Sequence, residues 1–363
     1  MSGRLDRLRA EMAARGLDAM LVSSPENRRY VSGFTGTSAN VLVTVDRALV
    51  ITDFRYTQQA KAQCAGFEVV QQQASHGGAF LELLAELVQS LGVKAVGFEQ
   101  DYLTYGEVER YRTLEKTVPG FTWVPVSGVV ERLRIVKDEA EIAILEEAAR
   151  IADEAFEHVL GVLRPGLTER EVALELEIQM RKRGASGAAF DTIVASGWRS
   201  AMPHGVASDK VLEMGDLVTM DFGALYQGYC SDLTRTVVIG KANPRQREIY
   251  ERVLEAQRLA LAAVRPGITG RELDAVARDA LARHGLAEAF GHSLGHGIGL
   301  AIHEDPRISK TGEDVLEPGM VITIEPGVYL PEWGGVRIEE DVVVTPNGGR
   351  VLTHSAKDTL IEV

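Results

Sequence analysis

Residues 215–221, Gly-Asp-Leu-Val-Thr-Met-Asp, return in altered form as residues 319–325, Gly-Met-Val-Ile-Thr-Ile-Glu. In both copies an apolar run typical of a buried strand ends at an acid, Asp221 in the first and Glu325 in the second. A second strand is predicted after each copy, and these strands carry two more acids, Asp232 and Glu339. Two such halves, related by a pseudo-twofold axis, would bring four carboxylates together at one point.

The duplication extends to the helices that precede these strands. Residues 164–171, Arg-Pro-Gly-Leu-Thr-Glu-Arg-Glu, recur as residues 265–272, Arg-Pro-Gly-Ile-Thr-Gly-Arg-Glu. In each copy the proline stops the preceding helix, and the threonine, Thr168 or Thr269, caps the next one. Two copies are too few for a solenoid. The sequence therefore predicts a single α+β domain over residues 138–363 with an internal pseudo-twofold duplication.

The first third of the chain predicts a separate α/β domain over residues 1–125. Short apolar segments at Ala19–Val22, Val41–Val45 and Ala48–Ile51 alternate with helical patterns and turn residues. Proline and glycine then punctuate a predicted linker over residues 126–137. A chain of 363 residues is also long enough for two domains.

The composition is that of a soluble globular protein, with 45% hydrophobic and 25% charged residues. A net charge of −13 argues against nucleic acid or an anionic membrane as the main partner, because either would require a basic face. The two cysteines, Cys64 and Cys230, do not form a disulfide framework or a metal-ligand spacing. The sequence has neither a signal-peptide pattern nor a membrane-spanning apolar run, so we expect a cytoplasmic protein.

The four acids of the duplicated strands predict a metal centre. A buried carboxylate is costly unless it is paired or binds a metal ion, and the sequence offers no lysine cluster nearby. Two divalent cations would balance the four charges, activate a shared water and hold a substrate carbonyl. The glycine-rich run 291–299 supplies a histidine ligand, His296. Oxygen-rich ligation with one imidazole favours Mn²⁺ or Co²⁺, and Zn²⁺ also fits.

Three further histidines, His204, His292 and His303, are candidates for proton transfer or for hydrogen bonds to a tetrahedral intermediate. Arg337 lies two residues before Glu339, so strand alternation places both side chains on one face. Arg337 is therefore expected to orient that carboxylate or to hold a substrate group.

These motifs resemble the pita-bread metallopeptidases, and within them the proline-specific branch that includes aminopeptidase P and Xaa-Pro dipeptidase (prolidase). The resemblance rests on Asp221 and on the runs 231–236, 295–299, 303–304, 324–327 and 337–339. Residues 27–34, Asn-Arg-Arg-Tyr-Val-Ser-Gly-Phe, and residues 53–56, Asp-Phe-Arg-Tyr, resemble the creatinase-type N-terminal domain. The resemblance thus implies a creatinase-type α/β N-terminal domain followed by an α+β pita-bread domain.

The resemblance also implies roles for individual residues. The implied metal ligands are Asp221, Asp232, His296, Glu325 and Glu339. Glu325 is further implied as the proton shuttle for a bridging hydroxide that attacks the scissile carbonyl. His303 would stabilise the oxyanion, while His292 and His204 would line the pocket for proline. The family implies a homodimer in which the N-terminal domain helps to close the partner's site. Asp53 and Arg55 would then act there, or would simply close a strand-to-helix turn.

The substrates implied are small peptides with proline at position two. The compact N-terminal domain favours aminopeptidase P, with Xaa-Pro dipeptidase as the alternative. A dipeptidase must bind the substrate's C-terminal carboxylate, and the arginines that could do so are Arg28, Arg29, Arg55, Arg199 and Arg337. A non-catalytic pita-bread protein and a creatinase are disfavoured because every metal ligand is present. A methionine aminopeptidase is disfavoured because that family lacks the N-terminal domain.

Overall fold

The structure of the protein is a computed structural model that describes residues 2–73 and 77–363. The chain divides into two compact units, Met1–Arg134 and Ile135–Val363. Among the helices of the described ranges, none combines the length and the apolar character needed to cross a bilayer.

The first unit is built on a six-stranded mixed sheet. Its strands are β1 (Ala19–Val22), β2 (Ala39–Thr44), β3 (Ala48–Thr52), β4 (Glu68–Gln71), β5 (Ala95–Glu99) and β6 (Thr122–Val126). The order across the sheet is β4-β3-β2-β1-β5-β6. Strand β2 runs antiparallel to both β1 and β3, and the other neighbours are parallel. This arrangement confirms the predicted α/β N-terminal fold.

The helices of this unit are α1 (Ser2–Ala14), α2 (Pro25–Ser32), α3 (Thr57–Gln63), α4 (Gly77–Leu91), α5 (Tyr105–Tyr111), α6 (Thr113–Thr117) and α7 (Val129–Ile135). Helix α4 buries Phe80, Leu84 and Val88 in the same apolar cluster as Leu21 of β1 and Leu42 of β2. The spacing of three and four residues between these side chains gives α4 one apolar face against the sheet.

Helix α7 occupies most of the segment 126–137, which the sequence analysis treated as a linker. The helix forms because Val129 and Val130 are fully buried, and because Arg134 is also buried and donates a hydrogen bond of 2.8 Å to Asn27. Residues 129–134 are therefore packed structure of the first unit, and the proline and glycine mark the turn that precedes α7.

The second unit consists of two halves of similar build. The first half contains α8 (Glu139–Leu160), α9 (Glu169–Lys182), β7 (Gly187–Ala188), β8 (Ile193–Ser196), a 3₁₀ helix (Gly197–Ala201), β9 (Leu217–Phe222), β10 (Ala224–Tyr226), β11 (Tyr229–Cys230) and β12 (Leu233–Val238). The second half contains α10 (Pro244–Ala263), α11 (Gly270–Ala282), a 3₁₀ helix (Ala287–Ala289), β13 (Gly295–Gly297), β14 (Glu304–Ile308), β15 (Val321–Ile324), β16 (Gly327–Leu330), β17 (Gly334–Arg337), β18 (Glu340–Thr345), β19 (Gly348–Val351) and β20 (Ile361–Glu362).

Matching capping boxes begin the second helix of each half. Thr168 accepts a hydrogen bond from the backbone of Glu171 at the start of α9, and Thr269 accepts one from Glu272 at the start of α11. In both cases the glutamate carboxylate accepts a hydrogen bond from the backbone N–H of the threonine. Each capping box therefore pairs two N–H groups that would otherwise be unsatisfied. The repeated motif found in the sequence therefore has one structural role in both halves.

The central strand pairs of the two halves are equivalent. One sheet has the order β20-β12-β9-β8, and the other has the order β14-β13-β15-β18-β19. Strand β9 runs antiparallel to β12, and β15 runs antiparallel to β18. Each half also has its own buried apolar cluster, one around α8 and α9 and the other around α10 and α11. The predicted α+β fold with an internal duplication is confirmed.

Candidate active site

In the first half, the paired strands β9 and β12 position two of the predicted ligands. Asp221 is the penultimate residue of β9, and Asp232 directly precedes β12. Asp221 lies opposite Thr234 in the antiparallel register. The backbone N–H of Asp232 donates a 3.0 Å hydrogen bond to the carboxylate of Asp341. Both acids therefore sit at the same end of one strand pair.

The second half presents its three predicted ligands in the equivalent places. Glu325 directly follows β15, Glu339 directly precedes β18, and His296 is the middle residue of β13. The backbone N–H of Glu339 donates to the carbonyl of Thr234 at 3.1 Å, and the Thr234 hydroxyl donates to the Glu339 carboxylate at 2.6 Å. These bonds join the acid end of the second half to strand β12 of the first.

Three of the five predicted ligands form a compact cluster that could hold a metal ion. One ligand atom from each of Asp232, His296 and Glu339 lies within 4.8 Å of the others. The His296 Nε2 atom is 3.6 Å from Asp232 and 3.7 Å from Glu325. Among the described residues, Asp221 Oδ1 is buried without a hydrogen-bond partner. An acceptor that faces other acids and lacks a donor fits a cation, so the residues present suit divalent metal ions.

Burial makes it costly for the acids of this cluster to be ionised together without a bound cation. Burial raises the pKa of Asp232 well above its usual range, and the neighbouring Glu339 and Asp221 raise it further. Burial and Asp221 raise the pKa of Glu339 to about 8. Burial also lowers the pKa of His296 to about 4, so the imidazole is neutral near pH 7 and is able to act as a ligand. Bound cations would lower the pKa of these carboxyl groups again and so favour their ionised form.

Two glycines allow strand β13 to carry His296 between close neighbours. A Cβ atom on Gly295 would overlap the carbonyl oxygen of Thr323, and one on Gly297 would overlap the carbonyl oxygen of Asp305. Backbone oxygens of adjacent strands occupy the space that a side chain would need. The glycine-rich pattern of residues 291–299 is therefore a packing requirement around the imidazole.

We expect Gly297→Ala to lower stability by about 1–3 kcal/mol, because the overlap forces the backbone to shift. The same shift moves His296, so we expect the turnover number of any reaction at this cluster to fall by roughly tenfold or more. Gly291→Ala is the matched control, since a Cβ there meets nothing within 4 Å. Chemical denaturation and initial rates measure both effects, and equal behaviour of the two variants would contradict this explanation.

The other predicted histidines lie close to the cluster. The rings of His303 and His296 are 4.4 Å apart between centroids. His292 Nδ1 is 3.9 Å from Glu325. Burial lowers the pKa of His292 to about 4, and the charge of Arg337 contributes to the shift. Burial also lowers the pKa of His303.

His204 lies on an exposed loop after the first 3₁₀ helix. It adds to the burial effect that lowers the pKa of His292 and of His303, which places its ring near both. Three histidines, His204, His292 and His303, therefore lie near one region of the second unit, together with the five predicted ligands, of which His296 is one.

Arg337 pairs with Asp221 and not with Glu339, the carboxylate that one of its two predicted roles was to orient. Its Nη2 atom donates to Asp221 Oδ2 at 2.7 Å, and its side chain is only 3% exposed. It also donates to the hydroxyl of Tyr329 at 2.8 Å, and that hydroxyl lies 2.8 Å from His292 Nε2. Arg337 therefore orients the acid of the first half, whereas Thr234 holds Glu339.

Tyr329 and the ion pair between Arg278 and Asp274 on α11 were not predicted from the sequence. Arg278 forms a two-bond ion pair with Asp274 and donates to the carbonyl oxygens of Phe290 and His292, at 2.8 and 3.0 Å. Asp274 in turn accepts from the backbone of Leu294 at 3.1 Å. This clamp fixes the loop that carries His292. The spacing of four residues within α11 was the only available signal, and it is common to surface ion pairs.

Asp53 and Arg55 bind each other within the first unit. The guanidinium of Arg55 donates to both carboxylate oxygens of Asp53 at 3.0 and 2.8 Å, and the backbone of Arg55 donates to the same acid. Asp53 is 2% exposed, and Thr57 follows as the first residue of α3. The pair closes the turn between β3 and α3, which was one of its two expected roles.

Comparison with known proteins agrees with this fold. Residues 143–346 match the Metallopeptidase family M24, and residues 4–136 match the Creatinase/Prolidase N-terminal domain. The chain belongs to metallopeptidase family M24. It is therefore a metal-dependent peptidase, and the family implies divalent metal ions. The cluster of Asp232, His296 and Glu339 is a candidate site for them.

The chain is similar over its whole length to proteins of known structure and name. A Xaa-Pro dipeptidase from Bacillus anthracis is 50% identical, with a TM-score of 0.94 over 100% of this chain and 99% of that one. A Xaa-Pro dipeptidase of Pyrococcus horikoshii is 42% identical over 363 residues, 99% of each chain. An X-Pro aminopeptidase from Thermotoga maritima is 41% identical, with a TM-score of 0.90 over 98% of this chain and 100% of that one.

Proposed function

We propose that the protein is an Xaa-Pro dipeptidase, which hydrolyses the bond before proline in dipeptides. The observation that carries this proposal is the full-length similarity to two Xaa-Pro dipeptidases, together with a ligand cluster of the right donor types. These similarities favour the dipeptidase, whereas the sequence motifs had favoured aminopeptidase P. Aminopeptidase P remains the second candidate because the Thermotoga maritima X-Pro aminopeptidase is also similar along the whole chain.

In this proposal the cluster holds two divalent ions, with Mn²⁺ as the first choice and Co²⁺ or Zn²⁺ as alternatives. The proposed ligands are Asp221, Asp232, His296, Glu325 and Glu339. Four carboxylates and one neutral imidazole carry four negative charges, which two dications balance. Bound there, the ions would lower the pKa of a water molecule and polarise the scissile carbonyl.

The protein's own groups divide the remaining work. Glu325 is the proposed acceptor of the proton from the attacking water and its donor to the leaving nitrogen, since burial raises its pKa well above the usual range. His303 donates a hydrogen bond to the oxygen of the tetrahedral intermediate. His292, held by Tyr329 at 2.8 Å, and His204 line the side of the pocket that receives proline.

The arginines of the second unit constrain how a dipeptide's carboxylate is recognised. Arg199 is paired with the buried Glu169 and also donates to the carbonyl of Val206 at 3.0 Å. Arg337 is paired with Asp221. Each guanidinium is already committed to an acid of its own unit. A substrate carboxylate would add to these ion pairs and would not replace them, because losing a buried partner is costly.

A comparison of four substrates tests the proposed length preference. We expect kcat/KM for Ala-Pro to exceed that for Ala-Pro-Ala and for Ala-Pro-amide by about tenfold to a hundredfold, because both lack a carboxylate on proline. Ala-Ala serves as the control for proline selectivity. If the tripeptide is cleaved as fast as the dipeptide, or faster, the protein is an aminopeptidase. If Ala-Ala matches Ala-Pro, the proposed selectivity for proline is wrong.

The proposed homodimer and the expected cytoplasmic location rest on the family resemblance and on the sequence. Light scattering of the purified protein measures the first, and fractionation of the producing cells measures the second. A monomeric active enzyme would contradict the dimer proposal while leaving the chemistry of the second unit unchanged.

A further inference from the structure

The first unit contains a polar cavity of about 230 Å³. Its wall includes Asn40 of β2, Thr52 of β3 and Tyr102, which follows β5. Ser23, just before α2, and Arg28, in the first turn of α2, also line the cavity. The volume corresponds to roughly eight water molecules at liquid density, so a small organic or inorganic ion fits.

Arg28 brings a buried positive charge to this wall. The residue is 6% exposed, and its Nη1 atom donates to the carbonyl oxygen of Ala39. Among the described residues, its Nε atom and the hydroxyl of Ser23 are buried without hydrogen-bond partners. Two donors beside one cavity are thus left unsatisfied.

Glu99 and Glu107, two of the acids near Arg28, are engaged with other partners, and Glu26 acts on Arg28 only through its charge. Glu99 accepts hydrogen bonds from the backbone and the hydroxyl of Ser24 at 2.8 and 3.1 Å. Glu107 also lines the cavity, but its carboxylate accepts from the backbone and the hydroxyl of Thr104 at 2.9 and 2.7 Å. In the part of the chain that the structure describes, no carboxylate forms an ion pair with Arg28. Its charge is compensated only at longer range.

A buried cation without a paired anion is costly for a folded protein. Burial lowers the pKa of Arg28, although a guanidinium stays protonated near pH 7. Most proteins pair such a group with an acid, whereas here the group borders a cavity. The free energy lost on burying Arg28 is recovered if an anion enters that cavity.

We propose that the cavity of the first unit is a binding site for a small oxyanion, held by the guanidinium of Arg28. A carboxylate and a tetrahedral oxyanion such as sulfate share the required chemistry, since both accept charge-assisted hydrogen bonds. Asn40 and Thr52 supply further polar groups at the wall. The site lies within the first unit and is distinct from the metal cluster of the second.

Isothermal titration of the full-length protein with sulfate and with succinate, at constant ionic strength, tests this proposal. We expect saturable binding of at least one of these anions, and we expect Arg28→Gln to weaken it by about tenfold or more. Arg110→Gln is the matched control, because it removes the same charge from an exposed position on α5. Equal binding by the two variants, or no saturable binding to the unchanged protein, overturns the proposal.

A second measurement does not depend on the variant folding. Crystals of the unchanged protein soaked in selenate are expected to show an anomalous scattering peak in the cavity, within hydrogen-bond distance of Arg28. A map with no peak in the cavity at full soak concentration overturns the proposal, whatever anions bind near the metal cluster.

Discussion

Glu339→Gln is expected to lower kcat by about a thousandfold or more while leaving the fold intact. Glu339 belongs to the compact ligand cluster and accepts the hydroxyl of Thr234 at 2.6 Å. A glutamine preserves the size of the side chain but removes the charge that a dication requires. Initial rates on Ala-Pro, circular dichroism and metal analysis of the same sample measure activity, fold and occupancy together.

Glu317→Gln is the matched control for this experiment, because Glu317 is an exposed glutamate of the same unit. It should retain full activity and full metal content. Near-normal turnover by Glu339→Gln would refute the metal-centred mechanism. A loss of activity with unchanged metal content would assign Glu339 a role other than that of a ligand.

Removal of metal by a chelator should abolish activity and lower the melting temperature. Ions that bind only the folded state stabilise it by about 4 kcal/mol when they are present at a thousand times Kd. For a unit of this size, such a loss lowers the melting temperature by roughly 10 °C. Asp232 and Glu339 would also return to a buried site in which ionisation is costly. Differential scanning calorimetry before and after chelation measures the shift.

Re-addition of Mn²⁺, Co²⁺ or Zn²⁺ in turn should restore activity to different extents, which ranks the candidate metals. The Glu339→Gln variant is the internal control, because its melting temperature should respond much less to the chelator. A chelated protein that keeps its activity would contradict the requirement for metal. An equal shift in the variant would mean that the chelator acts elsewhere.

The sequence predicted the architecture of the second unit because its two halves repeat the same local signals. Thr168 and Thr269 each begin a helix through the same capping box, and an apolar strand leads to an acid in each half. Agreement between capping, strand pattern and acid position made the convergence of Asp221 and Glu325 predictable. These signals are local, so a sequence displays them directly.

The partners that orient the ligands were not predictable in the same way. Arg337 shares a strand face with Glu339 in any simple reading, yet it bonds Asp221 across the two halves. The clamp from Arg278 to the carbonyl of His292 joins a helix to a loop through backbone atoms, which leave no trace in residue types. Helix α7 was not predicted within residues 126–137, because the turn signal there masked the buried valines Val129 and Val130. Such contacts depend on how elements that are distant in the sequence pack against each other in the fold.

Thr234 and Glu339 hold the two halves together beside a cluster that draws Asp232 from one half and His296 and Glu339 from the other, which has a thermodynamic consequence for the duplicated unit. Metal ions that take ligands from both halves act as reversible cross-links across a long stretch of chain. The free energy of binding these ions therefore also stabilises the association of the two halves. Neither repeat expressed alone would possess a complete coordination sphere. Two fragments produced by cutting the chain between β12 and α10 should therefore reassociate only when the metal ion is present.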